Sequence, residues 1–124
     1  MRNLCFAIFL LSVSILFQAC EYQEFEPVVL DDTDTISYSE IIQPMFEASC
    51  LGSGCHVSAG GVPPNLEADF AYLSLIGGNY VDTLNAEEST LYLRIEKDMP
   101  PSGALSDLQI EQVLLWIKQG AKEN

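Results

Sequence analysis

The sequence predicts an all-α domain of four short helices joined by long ordered loops. Three observations carry that expectation. Apolar residues recur at helical spacing in four separate stretches between Ser39 and Ala121. Start and stop residues bracket those stretches. No segment alternates apolar and polar residues over the length of a strand.

In the first helix, Ile41, Ile42, Met45 and Phe46 share one face. Pro44 requires this helix to start near it or to kink there, because proline has no N–H and its ring crowds the preceding turn. A Gly-rich loop, Leu51–Gly61, follows. Asn65 is the expected cap of a second helix that turns Leu66, Phe70, Leu73 and Leu75 inward and ends at Gly77-Gly78. Ser89 is the expected cap of a third, with Leu91, Tyr92 and Ile95 on its inner face. Glu87-Glu88 lie just before it, where carboxylates favour the helix dipole. Met99-Pro100-Pro101 cannot continue that helix. Ser106 and Gln109 form a capping box for the fourth, which carries Leu108, Ile110, Val113, Leu114, Trp116 and Ile117 and stops at Gly120.

Charge excludes one class of function. The 124 residues hold 5 Lys+Arg against 18 Asp+Glu, a formal net charge of −13. Such a surface repels phosphate backbones, so nucleic-acid binding is not expected. The 48% hydrophobic content is unevenly spread. Arg2 precedes an uncharged apolar run, Leu4–Phe17, of 14 residues. A membrane-spanning helix needs roughly 20, so residues 1–19 read as a secretory leader. Ala19-Cys20 after this run resembles the lipobox of bacterial lipoproteins. The resemblance implies cleavage before Cys20 and its diacylation, and two acyl chains suffice for stable anchoring.

Residues 20–38 read as an acidic tether. Glu21, Glu24, Glu26, Asp31, Asp32 and Asp34 repel one another and keep the segment extended. An acidic stretch directly after the lipidated Cys also resembles the export signal of some Gram-negative surface lipoproteins. The expected location is therefore the cell envelope, lipid-anchored to the outer membrane ahead of the inner, facing the periplasm or the exterior. Loss of Arg2 with the leader takes the charge to −14. Residues 39–124 are left as the domain. Four short helices in so small a unit bury little surface, and domains of this size often need a staple.

Cys50-Leu51-Gly52-Ser53-Gly54-Cys55-His56 is the most informative stretch. Two cysteines with His directly after the second follow the logic of c-type haem attachment: the thiols hold two vinyl groups and the imidazole reaches the iron. Four residues separate the cysteines where two are usual, and Gly52 and Gly54 let the extra residues loop outward. Two other readings stay open. Cys50 and Cys55 could form a disulfide in an oxidising compartment. Zinc would need a fourth ligand, and His56 is the only His. Met99 follows His56 by 43 residues, in a loop stiffened by Pro100 and Pro101. A Met held this way is a candidate sixth ligand, and His/Met ligation favours electron transfer.

With these residues in place the chain resembles a small class I cytochrome c domain, of the kind found in planctomycete and Bacteroidetes lipoproteins. The likeness covers roughly residues 39–121. It rests on Cys55-His56, Pro63-Pro64-Asn65-Leu66, Ser89-Thr90-Leu91-Tyr92-Leu93-Arg94-Ile95, Met99-Pro100-Pro101, and Ile110 to Ala121 with Trp116-Ile117. It implies four helices and ordered loops wrapped around one covalent haem c. Cys50 and Cys55 are then the thioether residues, and His56 and Met99 the iron ligands. It further implies that the carbonyl of Pro64, or of Pro63, accepts the second hydrogen bond of His56. The first and last helices cross beside the haem with Trp116 near the crossing. Tyr72, Tyr80 and Tyr92 are candidates for its edge, and Arg94 and Lys97 for its propionates.

No general acid/base pair, nucleophile elbow or phosphate-binding loop is present in the sequence. The expected function is that of a lipid-anchored monohaem electron carrier, not an enzyme, docking a redox protein with a basic patch. An iron face left open by Met99 would instead make a haem sensor or a peroxidase-like enzyme. The other alternative is a haem-free envelope lipoprotein with a Cys50–Cys55 disulfide, acting as a binding or structural module.

Overall fold

The computed structural model describes residues 29–31, 33–101 and 103–124. The expected leader, the expected lipidation residue Cys20 and most of the expected acidic tether lie outside these residues. The architecture is all-α, and the described residues form four α-helices: α1 (Gln43–Ser49), α2 (Ala71–Gly77), α3 (Thr90–Lys97) and α4 (Asp107–Lys118). Among the described residues there is no strand. None of their helices is long and apolar enough to cross a membrane.

A π-helical turn, Tyr38–Ile42, runs directly into α1. Ser37 caps it, its Oγ accepting from the Glu40 N–H at 3.2 Å. Pro44 therefore sits in the first turn of α1, where the α-helix itself needs no N–H from it. Ile42 and Phe46 face inward and are fully buried.

Packing begins earlier than composition indicates. Ile36 and Tyr38, assigned above to the tether, are 3% and 5% exposed. The Ile36 N–H donates to Gln119 Oε1 at 3.0 Å, and the Tyr38 N–H to Asn124 Oδ1 at 2.9 Å. The two ends of the domain thus close on each other.

Helix α4 is the hub. It contacts the π turn, α3 and the short 3₁₀ turn Ala86–Glu88. Its capping box forms as expected: Ser106 Oγ accepts from the Gln109 N–H, and Gln109 Oε1 accepts from the Ser106 N–H. Trp116 is 1% exposed. Its ring packs against Tyr38 at 5.5 Å between centroids, and its Nε1–H donates to the Lys122 carbonyl at 2.9 Å. Tyr72 meets Tyr38 edge-on at 5.3 Å and donates its hydroxyl hydrogen to the Ala121 carbonyl. This aromatic cluster joins the first helical segment, α2 and α4.

Two helices differ from their sequence expectation. Asn65 does not cap α2. Its Oδ1 accepts from the Glu67 N–H and stabilises a turn, and α2 starts only at Ala71. That start puts Ala71 and Leu75 on the buried side, one turn apart. Leu73, two residues from each, falls on the opposite side and is 73% exposed; Phe70 is 52% exposed.

Ser89 stands at the N-cap of α3 but makes no cap bond. Its buried hydroxyl accepts from the Asp82 N–H at 2.8 Å and donates to the Asp82 carbonyl at 3.2 Å. It fastens the 80–89 loop to the helix instead.

These roles carry different costs. Ser106→Ala loses an exposed cap and should cost about 1 kcal/mol in urea unfolding. Ser89→Ala strands two Asp82 backbone groups and should cost more, about 1–3 kcal/mol. Equal costs would show that the Asp82 contacts contribute nothing beyond an ordinary cap.

Candidate functional site

The loop after α1 has little core of its own and is held by hydrogen bonds. The Leu66 N–H donates to the His56 carbonyl at 2.8 Å, closing the loop on itself. His56 Nδ1 lies 2.9 Å from the Pro64 carbonyl oxygen. A carbonyl oxygen can only accept, so Nδ1 carries the proton, and in the neutral ring the lone pair is left on Nε2. Pro64, not Pro63, supplies this contact. Below the loop, the nearly buried Gln43 of α1 donates Nε2–H to the Leu66 carbonyl at 3.3 Å and accepts from the Tyr38 hydroxyl at 2.7 Å. The imidazole is thus tied through Leu66 to the π turn and α1.

The loop turns at Gly54, whose φ of +70° suits glycine. Gly52, expected to share that role, has no positive φ. A tighter requirement falls on Gly60, which no sequence motif singles out. A Cβ there would lie 1.9 Å from the Gly54 carbonyl oxygen and 2.5 Å from that of Cys55. Only glycine lets the two arms of the loop approach this closely. Its signal in sequence was indistinguishable from the other loop glycines.

Between this loop and α3 lies a cleft of about 330 Å³. His56, Cys50, Pro63, Pro64 and Met99 all line it. The rest of its wall is mostly apolar, with Phe46 from α1, Leu66 and Val62 from the loop, and Leu91 and Ile95 from α3. Met99 reaches it because α3 ends at Lys97 and the Met99 N–H bonds back to the Arg94 carbonyl at 2.9 Å. Two segments far apart in sequence, Cys50–His56 and the Met99 loop, therefore bring one thiol, one imidazole and one thioether to one cleft.

Cys55 is half-buried and is not in the cleft wall. Both cysteines are free. Burial pushes the Cys50 thiol up to about 11. Of the three candidate tyrosines, only Tyr80 lines the cleft; Tyr72 belongs to the aromatic cluster, and Tyr92 lies outside the wall. Arg94 lines it as well, with Thr90 one turn before it on α3. The Arg94 guanidinium is 2.6 Å from the Asp98 carboxylate, in an exposed pair. Lys97 is not in this wall; it lines a neighbouring depression beside Met99 and the two prolines.

This donor set suits a flat, apolar iron chelate with acidic edge groups. The apolar wall can hold a macrocycle, Nε2 of His56 and the Met99 sulfur can ligate iron, the Cys50 thiol can form a thioether, and Arg94 can meet a carboxylate. Among the described residues no group of three His, Cys, Asp or Glu side chains is placed to hold a metal ion, so zinc finds no ligand set there. The chain matches no protein-family model, no curated protein and no solved structure.

The raised Cys50 value has a direct consequence for the haem-free chain. A thiol raised from 9.0 to about 11 stays protonated at neutral pH. Its contribution to stability is complete below about pH 9 and is lost as pH rises towards about 11, because the unfolded chain ionises first. Only the thiolate alkylates. Iodoacetamide at pH 8 should therefore modify Cys50 at least tenfold more slowly in the folded chain than in urea. Equal rates, read by peptide mass spectrometry, would contradict the burial described here.

Proposed function

We propose that this chain is a lipid-anchored monohaem c-type cytochrome that carries electrons in the bacterial cell envelope. The observation that carries the reading is the convergence of Cys50, His56 and Met99 on one apolar cleft, with His56 fixed by Pro64.

Haem, when bound, supplies a one-electron iron couple. The chain does the rest. Cys50 would hold the group by a thioether, and Cys55, although it lies outside the cleft wall, would supply the second, each thiol adding S and H across a vinyl double bond. His56 and Met99 would ligate the iron. The Pro64 carbonyl keeps the proton on Nδ1, holds the ring's orientation and raises the basicity of Nε2. Phe46, Leu66, Leu91 and Ile95 exclude water, and a low-dielectric surround favours the less charged, reduced state and raises the potential. If His56 and Met99 both ligated the iron, no position on it would remain for substrate, and the role would be that of a carrier.

Cys20 supplies the anchor in this reading, and residues 21 to about 35 the spacer between lipid and domain. A negative charge of −14 on the processed chain steers a redox partner with a basic patch, and salt slows that encounter.

Replacement of single ligands tests the assignment. Met99→Ala should abolish the low-spin, sulfur-ligated spectrum and lower the reduction potential while the haem stays attached. An unchanged spectrum would remove Met99 from the iron. In the same cells, Cys20→Ser should abolish palmitate labelling; retained labelling would place the anchor elsewhere.

A further inference from the structure

The face of α2 turned away from the core is apolar and bare. Phe70 at its N-cap, Leu73 and Ile76 are 52%, 73% and 39% exposed. They lie three residues apart, so they neighbour one another along one side of the helix. None of them lines the cleft that holds His56 and Met99. Single exposed apolar residues need no explanation, but three in a row on one short helix are a patch.

The chain leading into the patch is acidic. Asp69 is exposed beside Phe70. Glu67 precedes it by two residues, and hydrogen bonds from the Ser58 side chain and backbone N–H keep its carboxyl below the ordinary range, so it stays charged. Charge of the opposite sign is remote in sequence: residues 3–93 contain no Lys or Arg, and the cations of the domain, Arg94, Lys97, Lys118 and Lys122, all belong to α3 and the chain after it. Of these, Arg94 and Lys118 are paired with Asp98 and Glu87.

We infer that Phe70, Leu73 and Ile76 form a second docking surface, separate from the haem cleft, for a protein that presents an apolar centre rimmed by Lys or Arg. Charge complementarity selects this occupant. A second copy of the chain would bring Glu67 and Asp69 against the same carboxylates, and anionic lipid headgroups would be repelled in the same way. The inference does not depend on haem, so it survives or fails independently of the haem assignment.

The chain with Cys20→Ser, which carries no lipid, provides the test. The probe is an amphipathic helical peptide of leucine and lysine, titrated by calorimetry at low and high salt. Leu73→Glu discriminates, because it adds negative charge. Diffuse attraction to an acidic protein would strengthen in that variant, whereas docking on the α2 face would weaken. We expect at least tenfold weaker binding by Leu73→Glu, the same direction for Phe70→Ser, loss of affinity with salt, and no binding of a leucine/glutamate peptide. Both substituted residues are largely exposed, so thermal unfolding should be unchanged. Unaltered or tighter binding by Leu73→Glu would overturn the inference. So would self-association of the parent chain that Leu73→Glu abolishes, which would assign the face to a second copy. Binding to phosphatidylcholine vesicles lost in the same variant would assign it to lipid.

Discussion

The hydrogen bond between His56 Nδ1 and the Pro64 carbonyl is the contact on which the candidate site depends. A Gly-rich loop with little apolar content cannot hold a side chain in one place by packing. Here the ring is fixed at one nitrogen, the backbone is fixed at the His56 carbonyl by Leu66, and Leu66 is fixed to α1 through Gln43. Each bond is modest in net energy, about 1 kcal/mol. Their value is geometric: the three together convert a loop into a rigid wall, with one nitrogen of the imidazole left free to ligate.

The second wall follows from a different rule. Helix α3 ends at Lys97, and Met99 lies two residues on, before Pro100 and Pro101. Proline cannot extend the helix, so the chain must leave it there, and the Met side chain meets the cleft at that exit. Helix α4 stabilises both walls without entering the cleft. It packs on the π turn that leads into α1 and on α3, and Trp116 and Tyr38 sit at the join. A small domain with its two cleft walls tied to one central helix keeps its shape with few residues.

Much of this could be read from the chain. The all-α class, the fourth helix and its capping box, and the stop at Met99-Pro100 follow from local rules that tertiary contacts did not override. The α2 region was misread because Leu66, Phe70, Leu73 and Leu75 satisfy a helical period, but the turn closed by Asn65 delays the helix to Ala71 and changes which side is buried. Ser89 was misread because a serine before a helix is equally able to cap it or to bond a neighbouring loop, and only the position of Asp82 decides. Ile36 and Tyr38 sat at the end of an acidic segment whose charge concealed that they pack against α4 and the chain after it. Gly60 and Gln43 matter through long-range contacts, the approach of Gly54 and the Leu66 carbonyl, and no local pattern marks them.

The central claim is that the cleft walls exist to hold a covalently attached haem. The intact mass of the processed chain, measured after denaturation from cells with a c-type haem attachment system, addresses it most directly. The account predicts a mass higher than that of the lipidated polypeptide by one haem, lost from the product in Cys50→Ala/Cys55→Ala. A chain two hydrogens lighter than its free-thiol form, with no added group, would contradict it and identify a haem-free protein with a Cys50–Cys55 disulfide.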